Sequence, residues 1–542
     1  MTQIALALLL TPALCRGDRP VALPEWLSLG AEYRVETLYV DPLDLTGTEV
    51  TDVHWTEQRL RLDLGLRYPD VGGVVMQADV LSGVMFGDNG RWGGDPSPNS
   101  GLAIASRNPN DAGWEIGLSP GADPLDPKSY VPVLRSMSPI SIRHLYGEVR
   151  LPIGLLRVGR QPLTEGAAIA AHDGSRTNRW GVSRFSDVAD RVLFATKLDE
   201  IVATIRDGAS HVPDASQTRG VILAATYDWN VQDFPTSSKD DAWQVNVMLS
   251  WRRDKADWLG LAWRDFQLTG IVVHKSLAAF GTSAWSFPVR FQAAIGDATV
   301  NLQVSVIAGE TREVSEGLSR LSSKTPSSQD LLQVGVHAYV DYKVGPVTFA
   351  LEADYASGDD DPRGNTSLTQ FNFSRDFNVG LLLFEHLLAF QTARSAAVGL
   401  QNLAKLDSPS FPLTEIASQT RFGNAVAVFP QLDVTILESP KHRLHTRVGV
   451  LAAWAPTGAV DPVNTLLHED GVEISDDLVN YNGGKPGSYY GTEIDLQVEW
   501  TWRELFTWTV EAAAAIPGDA LRDANGDAVP SFLVENRFVF TF

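Results

Sequence analysis

The sequence predicts an all-β protein: a single antiparallel transmembrane β-barrel of about 16–18 strands, with short periplasmic turns and long external loops. Apolar and polar residues alternate with period two in long runs. Many runs reach about ten residues, the 9–11 that a membrane-spanning strand needs rather than the five or six of a soluble one. Short and long connectors then alternate along much of the chain, an order that a soluble sandwich has no reason to keep. Finally, the segment SFLVENRFVFTF (531–542) places Phe538, Phe540 and Phe542 two residues apart at the terminus, where a loose apolar end would fray in water.

In chain order, residues 4–15 are almost wholly apolar, the length of a signal-peptide core and too short to span a bilayer as a helix. Residues 1–17 read as a signal peptide and 18–542 as the barrel. A buried N-terminal helix is the competing reading, since no Lys or Arg precedes the run and no A-x-A site follows it. Cys15 is the only cysteine, and Pro12-Ala13-Leu14 before it is a poor lipobox. A mature chain beyond it has no thiol for disulfides, zinc ligation or catalysis.

The first barrel strand follows. Leu27, Leu29, Ala31, Tyr33 and Val35 alternate with Ser28, Gly30, Glu32, Arg34 and Glu36. At 59–67 four Leu alternate with Arg59, Arg61, Asp63, Gly65 and Arg67, and at 243–252 Trp243, Val245, Val247, Leu249 and Trp251 alternate with polar neighbours. Further strands are expected near 73–86, 140–151, 154–161, 190–198, 201–207, 218–229, 260–274, 285–295, 299–308, 331–343, 346–356, 421–436, 442–454, 489–502 and 506–515. NVGLLLFEHLLAF (378–390) lacks alternation and fits either a helix or a strand buried on both faces. Tight turns lie at 69–73, 152–154, 343–346 and 439–442; Gly-, Pro- and Asp-rich loops span 87–138, 161–188, 309–330, 357–377 and 456–487.

Composition narrows the function. Lys and Arg total 44 against 66 Asp and Glu, a net charge of −22. That disfavours nucleic acid as a partner and also adhesion to anionic lipid by surface charge. A bilayer offers no water to an open sheet edge, so strands cross it only as a closed barrel. The apolar alternates then face lipid, and the 15 Trp, 12 Tyr and 22 Phe can supply interfacial girdles. A soluble β-helix or propeller is the alternative, but no fixed-period repeat is visible.

The polar alternates face the lumen. They include Glu32, Arg34, Arg59, Arg61, Asp63, Arg67, Glu148, Arg150, Arg157, Arg191 and Lys197 as expected pore-lining residues. Residues 141–191 hold eight Arg, no Lys and five acids, a local balance of +3. Such Arg attract anionic solutes by charge and by bidentate hydrogen bonds, or else pair with lumen acids and merely satisfy a polar interior. Arg160 falls on the lipid face by alternation, which places it at the rim or at a bulge near Gly159.

Catalytic and metal signals are weak. G-x-S-x-G at 117–121 carries Pro120 where a nucleophile elbow needs an N–H, so it reads as a turn. Asp359, Asp360, Asp361, Asp523, Asn525 and Asp527 have oxygens suited to Ca²⁺, yet they read as solvated loops without an EF-hand's distal Glu. The ten His are scattered, without H-E-x-x-H. No enzyme activity, cofactor or metal is expected.

RHLYGEVRLPIGLLRVGRQPLTEG (143–166), followed by FSDVADRVLFAT (185–196), resembles a hairpin of the alginate-export family of outer-membrane porins, and more loosely general bacterial porins. The match covers about fifty residues. Phe538, Phe540 and Phe542 resemble the C-terminal signal through which outer-membrane barrels meet their assembly machinery. The resemblance implies a protein of the bacterial outer membrane, surrounded by lipid and lipopolysaccharide. The expected function is passive passage of small hydrophilic solutes, anionic or saccharide. The alternative is a plugged barrel whose long loops bind partners at the cell surface.

Overall fold

The computed structural model describes residues 23–43, 45–47, 51–68, 71–87, 118–119, 131–132, 138–164, 169–174, 178–184, 186–208, 211, 214, 218–232, 242–316, 325–361, 363–392, 418, 420–459, 480, 482 and 484–542. The expected signal peptide, 1–17, lies outside them. Eighteen strands run in chain order: β1 (Leu27–Asp41), β2 (Val53–Tyr68), β3 (Gly72–Gly87), β4 (Ser138–Leu151), β5 (Gly154–Pro162), β6 (Val188–Lys197), β7 (Gly220–Gln232), β8 (Trp243–Trp258), β9 (Leu261–Leu277), β10 (Thr282–Ser286 and Val289–Ile295), β11 (Ala298–Thr311), β12 (Gln329–Val344), β13 (Val347–Ala356), β14 (Ala425–Glu438), β15 (His442–Trp454), β16 (Tyr489–Trp502), β17 (Phe506–Pro517) and β18 (Ser531–Thr541). Each pairs antiparallel with its chain neighbours, and β18 closes on β1 with Thr541 opposite Glu32 and Phe532 opposite Asp41. β10 is one strand broken at Phe287–Pro288, because proline has no N–H for the ladder. The Pro288 carbonyl still accepts from Ile271, and Phe287 N–H still reaches Val306.

Alternation sets the two faces. Leu62, Leu66, Val247, Leu249, Leu351, Ile494, Leu496, Phe532 and Val534 all lie exposed on the outside, where a lipid-spanning barrel needs them. Aromatic clusters mark both ends of the wall. Tyr227, Trp229, Trp243, His274 and Trp285 gather near the external ends of β7–β10. Trp251, Trp258, Trp263, Phe266 and Phe291 gather near the periplasmic ends. A closed antiparallel barrel with an apolar exterior and a charged interior is the architecture of the bacterial outer membrane.

Two features depart from the sequence reading. The strand expected at 201–207 is part of a helix, α1 (Leu198–Asp207), in the periplasmic connector between β6 and β7. Its apolar residues fall at Ile201, Val202 and Ile205, a helical spacing, with Asp199 and Glu200 in the first turn and Arg206 in the last, as the helix dipole favours. The second departure concerns the lumen, whose external half is not simply polar. The described parts of the β5–β6 and β13–β14 connectors, 163–164, 169–174, 178–184 and 186–187 in one and 357–361, 363–392, 418 and 420–424 in the other, fold inward and build an apolar core inside the barrel. Ile169, Trp180, Phe371, Phe373, Phe384, Leu387 and Phe390 from these connectors are buried against Leu38, Trp55, Phe429, Leu451, Ala513 and Leu533 of the wall. Leu383–Leu388, in the segment that left helix or strand open, forms a π-helix, and all of its residues except Glu385 are buried. Among the described residues, no buried member of this core comes from β3–β12.

Candidate functional site

The infolded connectors position the charged lumen. Arg34 on β1 and Arg59 on β2 lie opposite one another in the register and both donate to the Ser183 carbonyl, at 3.3 and 3.4 Å. Arg59 also pairs with Glu32 at 2.6 Å. Arg61, two residues on along the same face, clasps Asp79 of β3 with the Nε–Nη2 edge of its guanidinium, at 2.7 and 3.0 Å, and its Nη1 donates to the Gly174 carbonyl at 3.4 Å. Arg143 on β4 donates to the Ser186 carbonyl at 2.6 Å. A row of four buried guanidinium groups thus faces the 163–187 connector, with Glu32 and Asp79 as its carboxylate partners on the wall. Three of the carbonyl contacts exceed 3.2 Å, and Arg59 Nε makes no hydrogen bond, so donor capacity remains for an anion. Asp63, beyond this row, accepts from Gln77 at 2.8 Å.

Arg184 holds the connector in place. It bonds Glu57 of β2 at 2.8 Å, and it also bonds Glu36 of β1 and Glu385 of the infolded helix. Its own N–H donates to Asp376 at 2.5 Å. One guanidinium therefore ties the wall to both inward connectors. Glu493 of β16 secures the helix: its carboxylate accepts the N–H groups of Leu381, Leu382 and Leu383 at 2.6, 2.8 and 2.5 Å, an anion at a helix N-terminus. Neither role carries a sequence signal, because Arg184 lies in an aperiodic loop and Glu493 on an ordinary alternating strand.

The remaining expected pore residues fall elsewhere. Near the periplasmic mouth, Arg150, Arg157, Lys197 and Arg252 line a cavity of about 620 Å³ with Leu155, Leu193, Ile222 and Met248 of the wall and Ile201 of α1. Arg157 pairs with Glu148 at 3.0 Å and lies over the Tyr146 ring, and Lys197 pairs with Asp214 at 3.2 Å. In the connector behind α1, the Asp214 N–H and then His211 hold the Glu200 carboxyl below its ordinary range. Arg191 is locked to the fully buried Asp228 through two contacts of 2.6 Å, and Gln244 and Asn246 donate to the same carboxylate. Arg67 lies exposed near the periplasmic end of β2.

Arg160 faces outward near the external end, pairing with Asp190 at 3.1 Å; its register with Leu145 is unbroken, so the rim explains it and a bulge does not. The acidic loops spend their oxygens on the backbone. Asp359 accepts the Asp361 and Thr369 N–H groups, and Asp523 accepts those of Asn525 and Asp527. Of the G-x-S-x-G segment, Leu118–Ser119 pairs with Val131–Pro132 in a two-residue ladder, and the rest lies outside the described residues. Phe538, Phe540 and Phe542 lie along the outer side of β18. Asn536, the polar residue in that row, accepts the Trp508 indole N–H at 2.8 Å and is satisfied on the lipid face.

No family model matches the chain, and no curated protein matches it. Solved structures similar to it include the outer membrane protein OprD of Pseudomonas aeruginosa, 11% identical over 96% of this chain and 95% of that one, with a TM-score of 0.46. OccAB1 of Acinetobacter baumannii is 10% identical over 96% and 98%, with a TM-score of 0.47. OccK2 (OpdF) of Pseudomonas aeruginosa, solved in complex with glucuronate, is 10% identical over 95% of each chain, with a TM-score of 0.44. At these values the likeness adds nothing to what the strand pairing and the lumen geometry already establish.

Proposed function

We propose that this barrel is an outer-membrane channel for small hydrophilic anions, saccharide acids among them. The observation that carries the reading is the row Arg34, Arg59, Arg61 and Arg143 facing an infolded connector: four guanidinium groups with two wall carboxylates, held inside a closed barrel. A cationic constriction favours anions, and the planar fork of Arg suits carboxylate and phosphate. The cationic cavity at the periplasmic mouth adds a second station on the same path. Selectivity comes from charge and width, with no catalytic step. Uronates and phosphates are the anions that such an Arg row suits. Lipid and lipopolysaccharide surround the barrel, and Phe538, Phe540 and Phe542 serve the assembly machinery.

Planar-bilayer recording tests the channel: purified protein should give step conductance, with a reversal potential in a salt gradient on the anion side. Cation selectivity would reject the anion preference. One observation favours a second reading, a plugged surface-binding barrel: the apolar core fills part of the external lumen. Absence of step conductance in any salt would decide for the plug.

A further inference from the structure

On the opposite side of the lumen from the arginine row, β12 and β13 bring a different chemistry together. His337 and Asp354 are directly opposed in the register, and Glu352 is the next lumen-facing residue along β13. All three are buried, and one ligand atom from each lies within 4.8 Å of the others. His337 Nδ1 is 2.7 Å from Asp354 Oδ1. Asp354 is 3% exposed, yet its Oδ2 makes no hydrogen bond. A buried carboxylate oxygen without a partner is costly, and such groups normally pair or coordinate a metal. Among the described residues no Lys or Arg makes an ion pair with Glu352 or Asp354; Arg179 is engaged with Asp433 and Gln431 instead.

The surroundings are those of a ligand set. Gln431 Nε2 donates to Glu352 Oε2 at 2.9 Å, which fixes that carboxylate as outer partners do around metals. The Phe377 ring stands edge-on to the imidazole with centroids 4.9 Å apart, holding its plane. On β14, Ala427 lies opposite Asp354 and the buried Phe429 lies opposite Glu352, so the carboxylates have one small and one apolar aromatic neighbour across the ladder.

We propose that His337, Glu352 and Asp354 form a binding site for a divalent transition-metal ion such as Zn²⁺ on the lumen wall. One imidazole nitrogen and two carboxylates suit a borderline ion at about 2.0–2.2 Å per ligand, with a fourth position left to water or to a solute anion. Binding replaces the His337–Asp354 hydrogen bond and releases the proton they share. The site was invisible in sequence because its members sit on two strands, without a motif, among ten scattered His.

Calorimetry with Zn²⁺ on the folded, detergent-solubilised full chain tests it, with Co²⁺ absorption as a second readout. The expected result is one equivalent of Zn²⁺ bound by the wild type and lost in both His337→Gln and Asp354→Asn, each checked as folded by heat-modifiable gel mobility. The Co²⁺ visible bands should vanish in the same two variants. Equal Zn²⁺ uptake by wild type and the His337→Gln variant would overturn the proposal and leave the pair as a proton-sharing hydrogen bond. Should Asp354→Asn fail to fold, the His337→Gln comparison still decides. The measurement is independent of conductance, so failure of the channel reading and failure of this one remain distinguishable.

Discussion

Replacing Arg184 by Met should unfasten the infolded connectors while leaving the barrel closed. Met keeps an apolar stem in the same space and removes only the guanidinium. Three carboxylates then lose their common cation: Glu36, which is fully buried, Glu57 and Glu385. Arg537, 3.8 Å from Glu36, compensates one of them in part. Breaking a buried ion pair by removing one partner costs about 3–5 kcal/mol. At 1.4 kcal/mol per decade, the ratio of seated to unseated connector should fall by roughly a hundred- to a few-thousand-fold. The strand ladder is untouched, because Arg184 contributes nothing to it. Single-channel recording is the assay: the variant should show larger conductance and more gating noise than the wild type, with unchanged heat-modifiable mobility. Adding Glu385→Gln should reverse part of the effect, since it removes one of the stranded charges. A folded Arg184→Met barrel with wild-type conductance and noise would refute the view that this residue fastens the connectors.

Glu493→Gln should loosen the same region by about 1–3 kcal/mol, because a neutral amide accepts less strongly from the three N–H groups at 381–383; protease nicking within 357–424 checks it. Reversing Arg150 and Arg157 to Glu should move the reversal potential toward cations by several millivolts or more. Arg191→Gln should barely move it, yet should lower thermal stability by about 3–5 kcal/mol by stranding buried Asp228. Phe542→Ser should reduce the amount of assembled barrel in membranes while changing refolded stability by less than about 0.5 kcal/mol, since its main chain stays bonded to Ala31 in both directions. The Glu200 carboxyl is held below its ordinary value of 4.5, so its hold on the 198–219 connector is complete above that pH and is lost as pH falls through the folded value; proteolysis of the connector should accelerate only in acid.

The wall was legible because period two leaves little choice: once Leu62 and Leu66 face lipid, Arg61 and Asp63 face inward. Closure of β18 on β1 followed from the same pattern. Lumen chemistry was less legible. A strand states which way Arg34 or Arg191 points, but its partner arrives from a loop about 150 residues away in one case and from the next strand in the other. Hence the reading placed both in one class of pore-lining residue, although one faces a connector with donor capacity to spare and the other is clamped. The apolar core was concealed for a related reason. In β1 both alternating sets turn apolar beyond Glu36, with Leu38 and Val40 inward beside Tyr39 outward. That loss of contrast marks where the wall stops facing water and begins to face infolded chain. The 201–207 error came from reading a short apolar segment by strand period when its spacing was helical.

The one-sided placement of the internal core divides the barrel into two arcs with different freedoms. Along β1–β2 and β13–β18, a lumen-facing substitution disturbs packing and is answered by a change in stability. Along β7–β11 the inward residues include Thr226, Asn246, Ser250, Thr269, Gln292, Asn301 and Ser305, and among the described residues of these strands Ile307 packs against the core. Apart from Ile307 and the Asp228 clamp on Arg191, that second arc can be recut with little effect on the first. A barrel built this way can vary the inner surface of one arc while keeping the scaffold that holds it shut elsewhere.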